Sequence, residues 1–149
     1  MFEFTDKFDV IEGEGLVLRI IEKNSGDDKM IPFYYYDVFR KSDMQAVGKI
    51  SVRIGNNFHS YYNGHIGYEI FEEFRGAGLA CKACREVLSV ARFHGMEFVY
   101  FTCDESNVGS QKTIERLGAE FVECAEVPRE YFAWYEGMER QLIYKLKLQ

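Results

Sequence analysis

Apolar and polar positions in the first half of the chain alternate with a period of two, which is typical of half-buried strands. A β-branched run from Leu16 to Glu22 predicts a first strand, and the turn-rich "NSGDD" closes it. The runs "FYYYDVFR" and "QAVGKISVRIG" flank the polar turn "KSDM". We therefore predict an antiparallel hairpin there, followed by a loop at "GNNFHSYYNG".

A fourth strand is predicted from His65 to Phe71, and the period changes directly after it. In that strand, the two-residue alternation puts His65, Gly67 and Glu69 on one face. From Gly78 the apolar residues recur at helical spacing, which predicts a helix that ends at Gly95.

The continuous apolar run "EFVYFTC" predicts a strand that is buried on both faces. A second helix is predicted in "DESNVGSQKTIERLG", with Asn107 or Ser106 as its N-cap. Val108, Ile114 and Leu117 are expected to face inward, and Gly118 ends this helix. "AEFVECAEV" and "RQLIYKLKL" alternate like strands and are predicted to pair as the C-terminal edge, with an irregular bridge between them.

Composition restricts the class of protein. The 149 residues, of which 47% are hydrophobic, suit one domain over residues 1–149 with a well-filled core. The net charge is −6 and no Lys/Arg-rich run is present, so nucleic acid is not an expected partner. The N-terminus resembles neither a secretory signal nor a lipidation motif, and charges interrupt every apolar stretch, so we expect a cytoplasmic protein without a membrane partner.

The cysteines are expected to be free thiols, because a chain of this size needs no disulfide bonds. Cys81 and Cys84 have the spacing of a redox or zinc pair, but they lie in a predicted helix with no second ligand pair. Helix packing by small residues is therefore the favoured interpretation, and no metal is expected.

The stretch "RGAGLA", Arg75 to Ala80, places small residues where the first predicted helix begins. Free N–H groups and the helix dipole make a helix N-terminus attractive to anions. A pyrophosphate can contact those N–H groups only if no large side chain projects there. The alternative is that the glycines only form a tight turn.

Two motifs in this order resemble the GNAT superfamily of N-acetyltransferases: the loop "RGAGLA", and Asn107 with Ser110 at the start of the second predicted helix. The resemblance covers roughly His65 to Val122, and its style is nearest to the ribosomal-protein N-terminal acetyltransferase branch and related predicted acetyltransferases. It implies an α/β (α+β) fold: a mixed, mostly antiparallel twisted sheet with a central strand-helix-strand-helix unit that binds acetyl-CoA. The implied cofactor-binding residues are Ile70, Phe71, Arg75, Gly76, Ala77, Gly78, Leu79, Ala80, Asn107 and Ser110.

The resemblance also implies chemical roles. Backbone N–H groups near Ile70 and Phe71 would hold the developing oxyanion, where the fourth strand splays from the fifth. Glu69 is the first candidate for the base that accepts the amine proton, and His65 is the second. Each could instead be an ordinary structural residue of the strand.

The sequence departs from the family pattern at the residue that protonates the departing thiolate. Many relatives have a tyrosine four residues after the serine that corresponds to Ser110 in the second predicted helix. This chain has Ile114 at that position. Tyr68 or Tyr144 could substitute. A thiolate is also a tolerable leaving group without an acid, because the pKa of a free thiol is about 8.5.

The acceptor side also departs from the family pattern. Only about ten residues, Lys23 to Pro32, connect the first two predicted strands, where relatives insert one or two helices. The acceptor side is therefore either open, or closed by "FHSYY" or by the second subunit of a homodimer.

Together these features predict an acetyl-CoA-dependent N-acetyltransferase. Its acceptor would be a primary amine of a small molecule, a peptide or a protein N-terminus. The alternatives are a non-catalytic acyl-CoA-binding or sensing module, and a protein-interaction domain that has kept the fold and lost the cofactor.

Overall fold

The fold combines antiparallel strands with three helices in a computed structural model that describes residues 2–149. This architecture confirms the predicted α+β class. The elements are β1 (Val10–Glu12), β2 (Leu16–Asn24), β3 (Phe33–Arg40), β4 (Gln45–Arg53), α1 (Phe58–Asn63), β5 (Ile66–Ile70), α2 (Leu79–Phe93), β6 (Phe98–Asp104), α3 (Val108–Arg116), β7 (Glu120–Ala125) and β8 (Gln141–Lys147).

The first five strands form one antiparallel sheet in chain order. The predicted hairpin of β3 and β4 is confirmed, with Tyr36 opposite Ile50. The short edge strand β1 was not predicted, because three residues are too few to show a period. No helix lies between β2 and β3 within the described residues, so the short connection predicted there is confirmed.

The last three strands form a second sheet in the order β6-β8-β7. The predicted pairing of the two C-terminal runs is confirmed, with Cys124 opposite Leu142. However, β8 is the central strand of this sheet rather than an edge, because it also pairs along its whole length with β6. β7 is the outer strand, and all but its last residue are exposed.

Helix α2 packs on the first sheet and fills the core. It begins after Gly78, as predicted, and its buried residues recur at helical spacing: Leu79, Cys81, Ala83, Cys84, Val87, Leu88, Val90 and Ala91. They contact the even-numbered side chains of the sheet, including the fully buried Tyr34 and Tyr36. The opposite face of the sheet carries the odd-numbered residues of β3 from Phe33 to Asp37, of β4 from Lys49 to Arg53, and of β5 from Gly67 to Glu69.

Strands β5 and β6 belong to different sheets and are joined at only one end. The His65 amide donates to the Tyr100 carbonyl at 2.8 Å, and beyond this bond no β ladder joins the two strands within the described residues. A gap therefore opens toward the carboxyl end of β5, where α2 begins. This splay was implied by the family resemblance.

Two local predictions are wrong. "FHSYYN" is the helix α1 rather than a loop, since Asn57 and Ser60 form a capping box that closes its first turn. Val108 was expected to face inward, but it is 56% exposed. It is the first residue of α3, before that helix reaches the core, and only Ile114 of α3 is buried.

Candidate active site

A cleft of about 480 Å³ opens where β5 and β6 separate, and it brings the two sequence motifs together. One wall is formed by the end of β5 and the start of α2, and the other by the first turns of α3. The lining residues are Tyr68, Glu69, Ile70, Phe74, Arg75, Gly76, Gly78, Leu79, Ala80, Cys81, Asn107, Gly109, Ser110, Lys112, Thr113 and Arg116. Eight of the ten predicted cofactor residues are among them, and Phe71 and Ala77 are not.

The glycine loop leaves the N-terminus of α2 open. Gly76 has φ +90° and Gly78 has φ +74°, a region in which residues with a Cβ are strained. A Cβ at either position would meet no atom of the described residues within 4 Å. Gly78 is the N-cap, and no side chain of the described range caps the helix. The first N–H groups of α2 therefore face open space at the positive end of the helix dipole.

Arg75 fixes the path of this loop. Its Nε donates to the carbonyl oxygen of Ile70 at 2.8 Å, which ties the loop back to the end of β5. The remaining guanidinium nitrogens are donors beside the cleft, and the side chain is exposed. Arg75 thus adds positive charge close to the N-terminus of α2.

Helix α3 contributes the opposite wall. Asn107 is its N-cap, and its side-chain oxygen accepts from the Ser110 amide at 3.1 Å. Lys112 and Arg116 also line the cleft, one helical turn apart. The sequence motifs do not include these two cations, although their spacing on one helix face was visible in the sequence. With Arg75, they make the cleft electropositive on both sides.

One backbone N–H at the end of β5 points into the gap. Hydrogen bonds to β4 alternate along an antiparallel strand. The Phe71 amide donates to Val47 O at 2.9 Å, and His65 O accepts from the Arg53 amide at 2.7 Å. By this alternation the Ile70 amide points away from β4 and toward the cleft. Of the two predicted oxyanion donors, the Ile70 amide is therefore free, whereas the Phe71 amide is bonded to β4.

Tyr68 is the tyrosine that reaches the cleft. Its hydroxyl donates to Ser110 Oγ at 3.3 Å, and burial raises the pKa of Tyr68, so the phenol stays protonated. The side chain of Ile114 is buried in the core. Tyr144 directs its hydroxyl to Glu115 Oε2 at 3.4 Å and is not part of the cleft lining.

The outer face of the first sheet holds a second cavity of about 340 Å³, directly beside the cleft. Tyr68 and Glu69 line both cavities. The other lining residues are Glu22, Met30, Phe33, Tyr35, Lys49, Ser51, Arg53 and Gly67. Glu69 is exposed and lies opposite Lys49 on β4. This carboxylate is therefore accessible from the outer face, at the point where the two cavities meet.

His65 is fully buried, and the protein engages both of its ring nitrogens. Nδ1 accepts from the Tyr100 amide at 2.8 Å, which leaves Nε2–H to donate to Gly55 O at 2.8 Å. Burial, together with the nearby charge of Arg53, lowers the pKa of His65 to about 4. The ring is therefore neutral and fixed, and it lines neither cavity. This geometry favours a structural role over the predicted role as a base.

The cysteines, all of which lie in the described chain, form no disulfide bond, and Cys81 lines the cleft. All four are free, and burial raises the pKa of Cys84 and, to about 11, that of Cys103. Within residues 2–149, no group of three or more His, Cys, Asp or Glu side chains is arranged to hold a metal ion. Nor does that part of the chain contain a helix long and apolar enough to cross a bilayer.

Residues 7–120 match the family model described as "Acetyltransferase (GNAT) domain". No curated protein matches the chain significantly. Among solved structures, a candidate ribosomal-protein-serine acetyltransferase from Vibrio cholerae is similar, with a TM-score of 0.68 and 17% identity. The match covers 97% of this chain and 100% of the Vibrio chain.

Two ligand complexes have the same fold. A ribosomal L7/L12 α-N-protein acetyltransferase in complex with coenzyme A has a TM-score of 0.59 and 18% identity. The microcin C7 self-immunity acetyltransferase, in complex with acetyl-CoA and AMP, has a TM-score of 0.56 and 19% identity. Each match covers 78% of this chain, but only 62% and 61% of the respective relative.

Proposed function

The chain belongs to the GNAT acetyltransferase family, and from that premise we propose that it transfers the acetyl group of acetyl-CoA directly to a primary amine. The acceptor is a small molecule, a peptide or a protein N-terminus, and residues 1–149 act as one acetyltransferase domain. The observation that carries the proposal is the cleft itself: both cofactor motifs, the free Ile70 amide and Glu69 meet where β5 and β6 separate.

The electropositive part of the cleft suits the phosphates of the cofactor. The pyrophosphate would contact the open N–H groups of α2 next to Gly78, with Arg75 beside it. Lys112 and Arg116 provide further positive charge from α3. The pantetheine arm would then follow the gap past Asn107 toward the end of β5, which brings the thioester to the Ile70 amide.

The reaction requires attack by a neutral amine on the thioester carbonyl carbon. The Ile70 amide donates to the carbonyl oxygen as negative charge develops there. Glu69, directly or through one water, accepts the proton that the amine nitrogen loses as the N–C bond forms. The C–S bond then breaks and releases CoA as a thiolate.

Tyr68 is suited to protonate that thiolate. Its hydroxyl lies in the cleft on Ser110 Oγ and remains protonated at neutral pH, because burial raises its pKa. Tyr68 therefore takes the role for which relatives use a tyrosine at the position of Ile114. Solvent can return the proton to Tyr68 afterward. Glu69 and Tyr68 are adjacent on β5, so their side chains project to opposite faces of the strand.

The experiment that tests the proposal is CoA release from acetyl-CoA across amine classes, with cofactor binding measured by thermal unfolding. Acetyl-CoA at 100 times its Kd should stabilise the protein by about 2.7 kcal/mol. Failure to bind acetyl-CoA would contradict both the enzyme and the sensing module. Binding without acetylation of any amine would favour the sensing module. The cytoplasmic location and the homodimer stay predictions.

A further inference from the structure

Arg53 is a cation without a carboxylate partner in the second cavity. It comes from the end of β4 and is partly buried. Its Nη1 donates to the Gly64 carbonyl oxygen at 2.9 Å, but no ion pair joins Arg53 to any carboxylate of the described residues. Burial lowers the pKa of Arg53. Burial removes water from the guanidinium, and no described carboxylate replaces that water. N–H donors of Arg53 therefore stay available to a ligand.

The free side of this guanidinium faces the cavity next to Gly67. Nη2 lies 3.0 Å from the position that a Cβ on Gly67 would occupy, so the absence of a side chain at that position gives Arg53 its space. Gly67 and Glu69 are two residues apart on the same face of β5. Two residues of a strand span about 7 Å, so the Gly67 position beside Nη2 of Arg53 and the base of the Glu69 side chain are separated by a distance of that scale.

The other charged groups of the cavity do not compete for this role. Lys49 already pairs with Asp37 at 3.0 Å. Glu22 is exposed to solvent, and its Oε2 accepts from the Asn24 side chain at 2.7 Å. Arg53 is therefore the cation of the cavity without a carboxylate partner among the described residues, and it is the strongest attraction there for an anion.

We propose that the acceptor amine carries an anionic group, a carboxylate or a phosphate, which Arg53 binds while the amine lies at Glu69. This inference rests on the proposed function and narrows its substrate class. An extended dipeptide spans about 7 Å between its amine and its terminal carboxylate, which is the same scale as the spacing of the Gly67 and Glu69 positions on the strand. A guanidinium binds carboxylate and phosphate oxygens through paired N–H donors, so both chemistries fit the same site.

The test compares acceptors that differ only in the anion. Alanyl-alanine and alanyl-alanine amide form one pair, and aminopropyl phosphate and propylamine form another. CoA release is measured for each, together with the thermal shift that each acceptor adds to the CoA-saturated protein. Loss of a hydrogen bond to a charged group predicts that the neutral member has a kcat/KM about 10- to 100-fold lower. The pair that shows this difference identifies the anion as carboxylate or phosphate.

Three variants locate the effect. Arg53→Gln should remove the preference for the charged acceptor, whereas Arg53→Lys should keep part of it. Arg19→Gln is the matched control, since Arg19 is an exposed cation on β2 that does not line the cavity, and it should keep the parental preference. If Arg53→Gln does not fold, Gly67→Ala is the substitute, because its Cβ would lie against Nη2 and obstruct the same donors.

The outcomes separate this inference from the proposed function. Equal use of charged and neutral acceptors by the parent protein would overturn the role of Arg53 and leave the acetyltransferase intact. A preference that persists in Arg53→Gln would overturn it as well. If no acceptor is acetylated, the proposed function fails. In that case the thermal shifts decide whether Arg53 binds an anion. Stabilisation by the charged acceptors alone, if it is lost in Arg53→Gln, supports the anion site. Equal stabilisation by charged and neutral acceptors, or no stabilisation by either, overturns it.

Discussion

Replacement of Gly78 by glutamate tests whether the open N-terminus of α2 holds the cofactor pyrophosphate. Gly78 has φ +74°, and a Cβ there meets no described atom within 4 Å. The folded protein should therefore lose only the cost of a left-handed residue with a side chain, about 1–2 kcal/mol. The new carboxylate would stand where the pyrophosphate approaches the helix.

The loss of affinity should come from charge repulsion, because the strain is present both with and without the bound cofactor. Two like charges 4 Å apart repel by about 1 kcal/mol at the dielectric constant of water and by about 4 kcal/mol at an effective value of 20. Since 1.4 kcal/mol is a factor of ten, the Kd for acetyl-CoA should rise by about 5- to 1,000-fold. Added salt should reduce the effect, because the site is exposed to solvent.

Isothermal titration calorimetry with acetyl-CoA is the assay, and two control variants isolate the cause. Gly78→Gln has similar bulk without the charge, so the difference between it and Gly78→Glu measures repulsion. Gly95→Glu introduces the same strain, since Gly95 has φ +79° and equally open surroundings. Gly95 lies past the other end of α2, about 22 Å away along a helix of 15 residues. Unchanged affinity in Gly78→Glu would show that the glycines serve only the turn.

Three further predictions concern individual side chains. Glu69→Gln should lower the rate of acetyl transfer by about 10²–10⁴-fold and leave acetyl-CoA affinity unchanged; turnover at the parental rate would exclude Glu69 as the base. Tyr68→Phe should lower the rate of CoA release and leave acetyl-CoA affinity unchanged; release at the parental rate would contradict a role as acid. Because the pKa of His65 falls from 6.5 to about 4 on folding, the unfolded chain binds the proton first, and stability should be lost as pH decreases from 6.5 to 4. The parent should lose about 3 kcal/mol more than His65→Gln over this range in urea unfolding; parallel losses would contradict the buried neutral ring.

The sequence was most informative where structure depends on neighbouring residues. The start of α2 after Gly78 and the Asn107 cap of α3 were both predicted, since helix period and capping are set within a few positions along the chain. The hairpin of β3 and β4 was predicted for the same reason. Eight of the ten cofactor-binding residues that the family resemblance implied line one cleft, because its two motifs are short and local.

The position of β8 and the surroundings of His65 depended on packing between distant segments. Nothing local distinguishes a central strand from an edge strand, so β8 could not be placed between β6 and β7 in advance. His65 was a candidate base by strand alternation, yet Tyr100 and Gly55 engage both of its ring nitrogens. Whether a polar side chain is buried or available depends on which backbone groups the fold brings to it.

The pattern of residues along the chain specified most of the elements and the open helix terminus after Gly78, and the family resemblance implied the class of cofactor. The fold alone brought Arg53 beside Gly67 and within reach of the face that carries Glu69, although Arg53 and Glu69 are 16 positions apart in the sequence. It also opened the gap between β5 and β6 that exposes the Ile70 amide. The physical reason is that caps and periods depend on bonds within one or two turns, whereas unpaired charges and strand gaps depend on register between segments that meet only after folding.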